Sequence, residues 1–490
     1  MPFFKVLVLA CAVVFGIQAA GAERPKLDAD RIAKIDQLIE DRMAAMEIPG
    51  VALALIEDGE IVHLRGFGAT TIEGPAVTED TRFLIGSVSK PLISLTILDM
   101  VADGVVGLDD PVVQHIPSFQ TRNATRSDTM TVRHLLSHRS GFSILFGNRN
   151  HAPDAPGADS MDTILDDARR VHLKWMPGEQ FEYSNANYQL LGYLIEVLED
   201  APLDEVVARR LAAKYGLKNT QAGLSPQSDA SSIGHRYWFG RPSAYRWDPD
   251  RLHWAQGGIE STASDLASVL ITLIDRFDQP NVAPLWVEMI SPPLSEEDAY
   301  GYYSLGWFVT QTPERRVAYH SGLNPGYEAL VGFSPDDGFG FVILANAASS
   351  FGVRNIGSLH YGVVDLILDR PVQSMEISPA LRVARIGAMV FPFLILIWIA
   401  AFVWKLRRQA FSPLSWNVTT IGWRLLAPSI LLGVLAYALF VIVPTANNAS
   451  FISVYVFQPD LGLTLGLGAA LAGLWSLVRF GLRVTLANQS

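Results

Sequence analysis

Apolar residues recur at helical spacing between residues 27 and 47, through Ile32, Ile35, Leu38, Ile39, Met43 and Met46, and stop before Pro49-Gly50. The spacing predicts an opening helix. Val51–Ile56 and Ile61–Phe67 then flank Asp58-Gly59, where glycine supplies a positive φ, and predict a β-hairpin. Leu305–Val309, Arg316–His320, Ala329–Phe333 and Phe341–Ala345 read as strands, the last two joined across Pro335-Asp336-Asp337-Gly338. Between these strand groups the pattern is helical and loop-like, with helices predicted at 90–103, 162–170, 185–199, 203–214 and 263–275. The order predicts an α+β fold whose sheet is interrupted by a long insertion.

The apolar excess concentrates at the two ends. Residues 1–22 carry one cation, Lys5, an apolar stretch from Val6 to Ile17 and small residues Ala20, Gly21 and Ala22, which predicts a signal peptide. Uncharged runs at 386–404, 425–443 and 461–478 are each long enough to cross a bilayer, since about 19 residues at roughly 1.5 Å nearly match a core of about 30 Å. Gly462 and Gly466 are spaced to let helices approach closely. Pro392 and Pro428 are expected to kink their spans. Lys405, Arg407, Arg408 and Arg424 lie between the first two spans, residues 444–460 carry no Lys or Arg, and Arg479 and Arg483 follow. The positive-inside rule therefore places the first loop and the C-terminus in the cytoplasm. The expected organisation is a globular domain over 23–370, a linker over 371–385 and a three-helix anchor in the inner cell membrane, with the domain on the extracytoplasmic side.

The 490 residues sum to a net charge of -11, and no basic run occurs in residues 30–370, so a nucleic-acid partner is not expected. The one cysteine, Cys11, lies in the predicted signal peptide, which leaves no disulfide, thiolate metal site or cysteine nucleophile in the mature chain. The expected partners are a small-molecule or peptide substrate and the lipid bilayer.

Ser87-Val88-Ser89-Lys90 opens a helical run through Leu92, Ile93, Leu95, Ile97 and Leu98, and it is the sole Ser-x-x-Lys among eight lysines. Positions three apart share a helix face, so the Lys90 amine can reach the Ser87 hydroxyl, while the helix N-terminus directs N–H groups at developing negative charge. Lysine can act as base once burial or a neighbouring cation lowers its pKa. Tyr183-Ser184-Asn185 precedes an apolar helix containing Leu190, Leu191, Leu194 and Ile195. A phenol beside a lysine can relay a proton, and a carboxamide can hydrogen-bond a substrate amide. His320-Ser321-Gly322 closes a predicted strand, where glycine allows a substrate backbone to come close. His134 and His138 stand four apart on a predicted helix, but Leu135 replaces the glutamate of a His-Glu-x-x-His zinc site, so no metal is expected. No Gly-x-Ser-x-Gly elbow occurs.

Further segments join these three: Leu108-Asp109-Asp110-Pro111, Leu135-Leu136-Ser137-His138-Arg139-Ser140-Gly141-Phe142, Phe181-Glu182-Tyr183-Ser184-Asn185 and Gly257-Gly258-Ile259-Glu260-Ser261-Thr262. In this order they resemble the β-lactamase and penicillin-binding serine hydrolases, specifically the class C β-lactamase-like branch with its D-Ala-D-Ala carboxypeptidases, D-aminopeptidases and esterases. The resemblance spans about residues 30 to 370. It implies a β-lactamase/transpeptidase-like fold, in which helices flank an antiparallel sheet and a mostly helical subdomain is inserted. It also implies catalysis by Ser87, Lys90 and Tyr183, and substrate binding by Asn185, His320, Ser321, Gly322 and Leu323, with the Ser87 and Leu323 N–H groups as oxyanion hole. No cofactor is implied. His134 and His138 become structural. The lactamases proper have lysine where this chain has His320, which shifts the expected substrates toward peptides, amides and esters. His320 would then titrate near neutral pH and bind carboxylate ligands more strongly as the pH falls. The alternative is an acylatable cell-wall or β-lactam receptor signalling through its membrane helices, against which stands the shortness of the inward-facing segments.

Overall fold

The computed structural model describes residues 26–148, 162–224, 230–279, 283–292, 301–312, 315–349, 355–373, 379–408, 426–446 and 448–488. The predicted signal peptide and Arg424 lie outside them. The chain divides into two compact units, one ending at Met375 and the other starting at Glu376.

In the first unit α1 (Ala29–Met46) leads into β1 (Gly50–Glu57) and β2 (Glu60–Gly68), which turn at Asp58 and Gly59 with φ of 51° and 75°. The insertion follows. It contains β3 (Phe83–Leu84), α2 (Ser89–Ala102), α3 (Val132–Leu136), α4 (Asn185–Glu199), β4 (Gln221–Ala222), β5 (Gly234–Trp238), β6 (Arg241–Tyr245), α5 (Arg251–Gly257), β7 (Ile259–Ser261) and α6 (Ala263–Asp278). The chain then returns through β8 (Tyr302–Tyr303), β9 (Phe308–Gln311), β10 (Arg316–Asn324), β11 (Tyr327–Ser334), β12 (Phe339–Ala345), β13 (Ala347–Ala348) and α7 (Gly357–Ile367). The main sheet is antiparallel in the order β2-β1-β12-β11-β10-β9-β8, as expected for the α+β class.

The composition of β1 explains its interior place, between β2 and β12. All eight residues are buried, and alternate side chains feed different cores. Val51, Leu53 and Leu55 join Phe341 and Ile343 under α1 and α7, whereas Ala52, Ala54 and Ile56 join Val342 and Leu344 under α2 and α6. A strand covered on both faces reads as a continuous apolar run. The expected strand at Leu305 begins later, at Phe308, because Gly306 turns the chain with φ of 92°.

The second unit contains α8 (Pro379–Arg407), α9 (Ala427–Tyr437), α10 (Phe451–Phe457) and α11 (Pro459–Asn488). Arg385–Arg407, Ala427–Ala446 and Pro459–Leu482 are long and apolar enough to cross a membrane. Pro392 sits inside the continuous α8, while Pro428 falls in the first turn of α9, where its missing N–H costs nothing. Gly462 and Gly466 do permit close approach, but their neighbours are Tyr455 and Phe451 of the short α10 rather than another span. At the start of α11 the fully buried Asp460 pairs with Arg385 at 2.5 Å and accepts from Gln458 Nε2 at 2.7 Å.

Candidate active site

Two glycines determine how the site is assembled. Gly86 turns the chain between β3 and α2 with φ of +56°, and Ser87 follows in a single 3-10 turn. A Cβ on Gly86 would lie 2.4 Å from the Leu323 nitrogen, and one on Gly322 would lie 1.9 Å from the Ile85 oxygen and 3.3 Å from the Ser87 nitrogen. The serine turn and β10 therefore meet backbone to backbone. That contact brings the main chains of Ser87 and Leu323 together, and Leu323 itself is 42% exposed.

Lys90 is completely buried at the start of α2. Its Nζ lies 3.0 Å from Ser87 Oγ and 2.5 Å from the Gln256 carbonyl oxygen at the end of α5. Burial pushes the amine well below the usual lysine range. A neutral amine has a lone pair, so the Ser87 contact can also run from the hydroxyl to Nζ. The Tyr183 ring centre is 5.0 Å from Nζ. Burial pushes the phenol above its ordinary range, and a hydrogen bond with Ser87 partly offsets this. Ser87, Lys90 and Tyr183 thus share one enclosed cluster.

Asn185 opens α4, with Nδ2 donating to Asn148 Oδ1 at 3.0 Å. Its own Oδ1 is buried with no partner among the described residues, an acceptor left open. His138 lies under Tyr183 at a ring separation of 4.2 Å. Its Nδ1 accepts from the Ser184 N–H at 3.2 Å and the Asn187 amide at 2.8 Å, which fixes the proton on Nε2. The helix bearing His134 ends at Leu136 and His138 has φ of 56°, so the two histidines do not share a helix face as expected. Among the described residues no three His, Cys, Asp or Glu side chains cluster to hold a metal.

His320 departs from expectation most clearly. It is 1% exposed on β10, its Nδ1–H donates to the Ser321 carbonyl at 2.8 Å, and Nε2 accepts from the Tyr303 hydroxyl at 3.3 Å. Burial pushes its pKa down to about 3. The imidazole is thus neutral at physiological pH, contrary to the titration near neutrality expected from sequence. Ser321 is half-buried beside it and Gly322 makes the contact described above. The Gln256 carbonyl and Tyr303 gave no signal in the sequence, the first because a main-chain acceptor has no residue type.

The beta-lactamase family profile matches residues 35–359. The chain belongs to the beta-lactamase family. It is a serine hydrolase of that family, similar to the protein flp of Staphylococcus aureus (strain COL) at 23% identity, over 87% of this chain and 86% of the relative. Esterase EstB of Burkholderia gladioli is 31% identical over 39% of this chain and 52% of its own length. Among solved structures, the octameric penicillin-binding protein homologue from Pyrococcus abyssi has the same fold, with a TM-score of 0.58 and 24% identity over 73% of this chain and 82% of that one.

Proposed function

We propose that this beta-lactamase-family protein is a membrane-anchored hydrolase that opens amide or ester bonds through an acyl-enzyme on Ser87. The observation that carries the reading is the buried, charge-depleted Lys90 amine 3.0 Å from Ser87 Oγ. Lys90 takes the hydroxyl proton as Oγ attacks the substrate carbonyl. The oxyanion is held by the N–H groups of Ser87 and Leu323, each donor lowering the barrier by about 3 kcal/mol. Tyr183 passes the proton to the leaving group, and a water molecule then releases the acyl group with the roles reversed. Asn185 supplies its open carbonyl oxygen to a substrate N–H.

The neutral His320 offers no fixed positive charge for a substrate carboxylate. That favours esters and uncharged amides over β-lactams, and the esterase among the relatives supports the same preference. The cations between the first two spans support an extracytoplasmic position for the hydrolase unit. The reading is tested by intact-mass detection of an adduct on Ser87 after exposure to a simple ester, a D-Ala peptide and a penicillin. An acyl adduct is expected with the ester and none in Ser87→Ala, whose hydrolysis should vanish while its folding is unchanged. Retained turnover in Ser87→Ala would sink the mechanism.

A further inference from the structure

The β5–β6 hairpin ends in Trp238-Phe239-Gly240-Arg241. Trp238 is 39% and Phe239 54% exposed, and among the described residues they are the sole aromatics in the exposed large apolar side chains of the hydrolase unit. Their rings meet edge to face at 5.4 Å. The turn has φ of 47° at Phe239 and 85° at Gly240. A two-residue turn with both φ values positive favours Asn-Gly, so a bulky phenylalanine there strains the backbone. The base of the hairpin, in contrast, is firmly held: Tyr237 is fully buried and its hydroxyl donates to the Met46 carbonyl at 2.7 Å.

Charge at the tip has the opposite sign to that of the chain. Between Gly234 and Trp247 there are three arginines, Arg236, Arg241 and Arg246, and no acidic residue, in a protein of net charge -11. Arg241 and Arg246 are exposed. Paired aromatics with flanking cations are the combination that settles at the headgroup level of an anionic bilayer.

We propose that this hairpin tip is a membrane-contact element, with Trp238 and Phe239 entering the interface of an anionic bilayer and Arg241 facing lipid phosphate. The inference rests on the proposed membrane anchoring. Three spans in the same chain keep a bilayer at high effective concentration, so a contact too weak to recruit a free protein still forms. A second copy or another protein is the competing occupant of the tip.

The test uses the full chain, Cys11→Ser, reconstituted into phosphatidylglycerol vesicles with spin-labelled lipids. Single cysteines carrying a fluorophore are placed at Phe239, at Val197 on α4 as an exposed control, and at Leu477 in the third span. Quenching at Leu477 verifies anchoring first. In vesicles that pass that check, quenching at position 239 and little at 197 is expected. Arg241→Glu should reduce it about twofold or more, as should phosphatidylcholine in place of the anionic lipid. No quenching at 239, or equal quenching at 197, overturns the proposal. So does crosslinking of position 239 between two copies, which would assign the tip to self-association.

Discussion

A lysine can take the Ser87 proton only as the free amine, and burial of Lys90 favours that form. The acylation rate should therefore rise with pH and level off well below the range of an ordinary lysine, as read in single-turnover kinetics. Lys90→Arg keeps the charge at every pH and should slow acylation by about 10²–10⁴-fold with little change in binding. A buried neutral His320 predicts the reverse of what its residue type suggests. Acylation by a penicillin and by a neutral ester should share one pH dependence between about pH 5 and 8, where an ordinary histidine titrates. A penicillin rate that alone climbs as the pH falls would restore the imidazolium. Ser87, Lys90, Tyr183 and Asn185 were legible because their spacing and order carry them. The state of His320 was not, since it depends on burial among Tyr303, Tyr183 and Phe308, which come from separate elements.

Elements with clear periodicity were found from the pattern alone: α1, the β1–β2 hairpin, α4 and the strands β10 to β12; α2, buried all round, was found from its long apolar run. The β5–β6 hairpin was not, because Phe239-Gly240 replaces the Asn-Gly or Asp-Gly pair that marks such turns. Nor was α7, nine of whose eleven residues are buried. At this scale the contact between the Ser87 turn and β10 is the most sensitive feature. Gly322→Ala would force a Cβ to within 1.9 Å of the Ile85 carbonyl, so β10 must move away from the nucleophile. A displacement of about 1 Å costs on the order of 10²-fold in rate. We expect kcat to fall by that order with KM nearly unchanged, and an active Gly322→Ala enzyme would mean that β10 does not align the oxyanion donors.

For the molecule as a whole, a reporter fused after Ser490 should behave as cytoplasmic, and an active periplasm-only reporter there would refute the three-span topology. Acid stability is also a property of the whole fold. Burial keeps His138, His320 and His360 neutral, with the last two pushed down to about 3 and about 4. Below about pH 6.5 the unfolded chain takes up protons that the fold refuses, so stability falls with the pH. Glu328, raised to about 7 by burial, opposes this, since between about pH 4.5 and 7 the fold holds its proton more tightly than the unfolded chain does. His360→Asn should remove up to about 1.4 kcal/mol of the acid loss per pH unit, read as a flatter Tm between about pH 6.5 and 4.5. The pairing of Val51 with Ala345 has a consequence for biogenesis. In a chain that crosses the membrane N-terminus first, β1 emerges as a strand apolar from Gly50 to Ile56 whose β12 partner has yet to be synthesised. It must wait, with an unpaired edge, while the entire insertion passes. Closure of the sheet is then one of the last events before the anchor helices follow, so slowed translocation should leave an aggregation-prone intermediate, rescued by a chaperone that shields extended apolar segments.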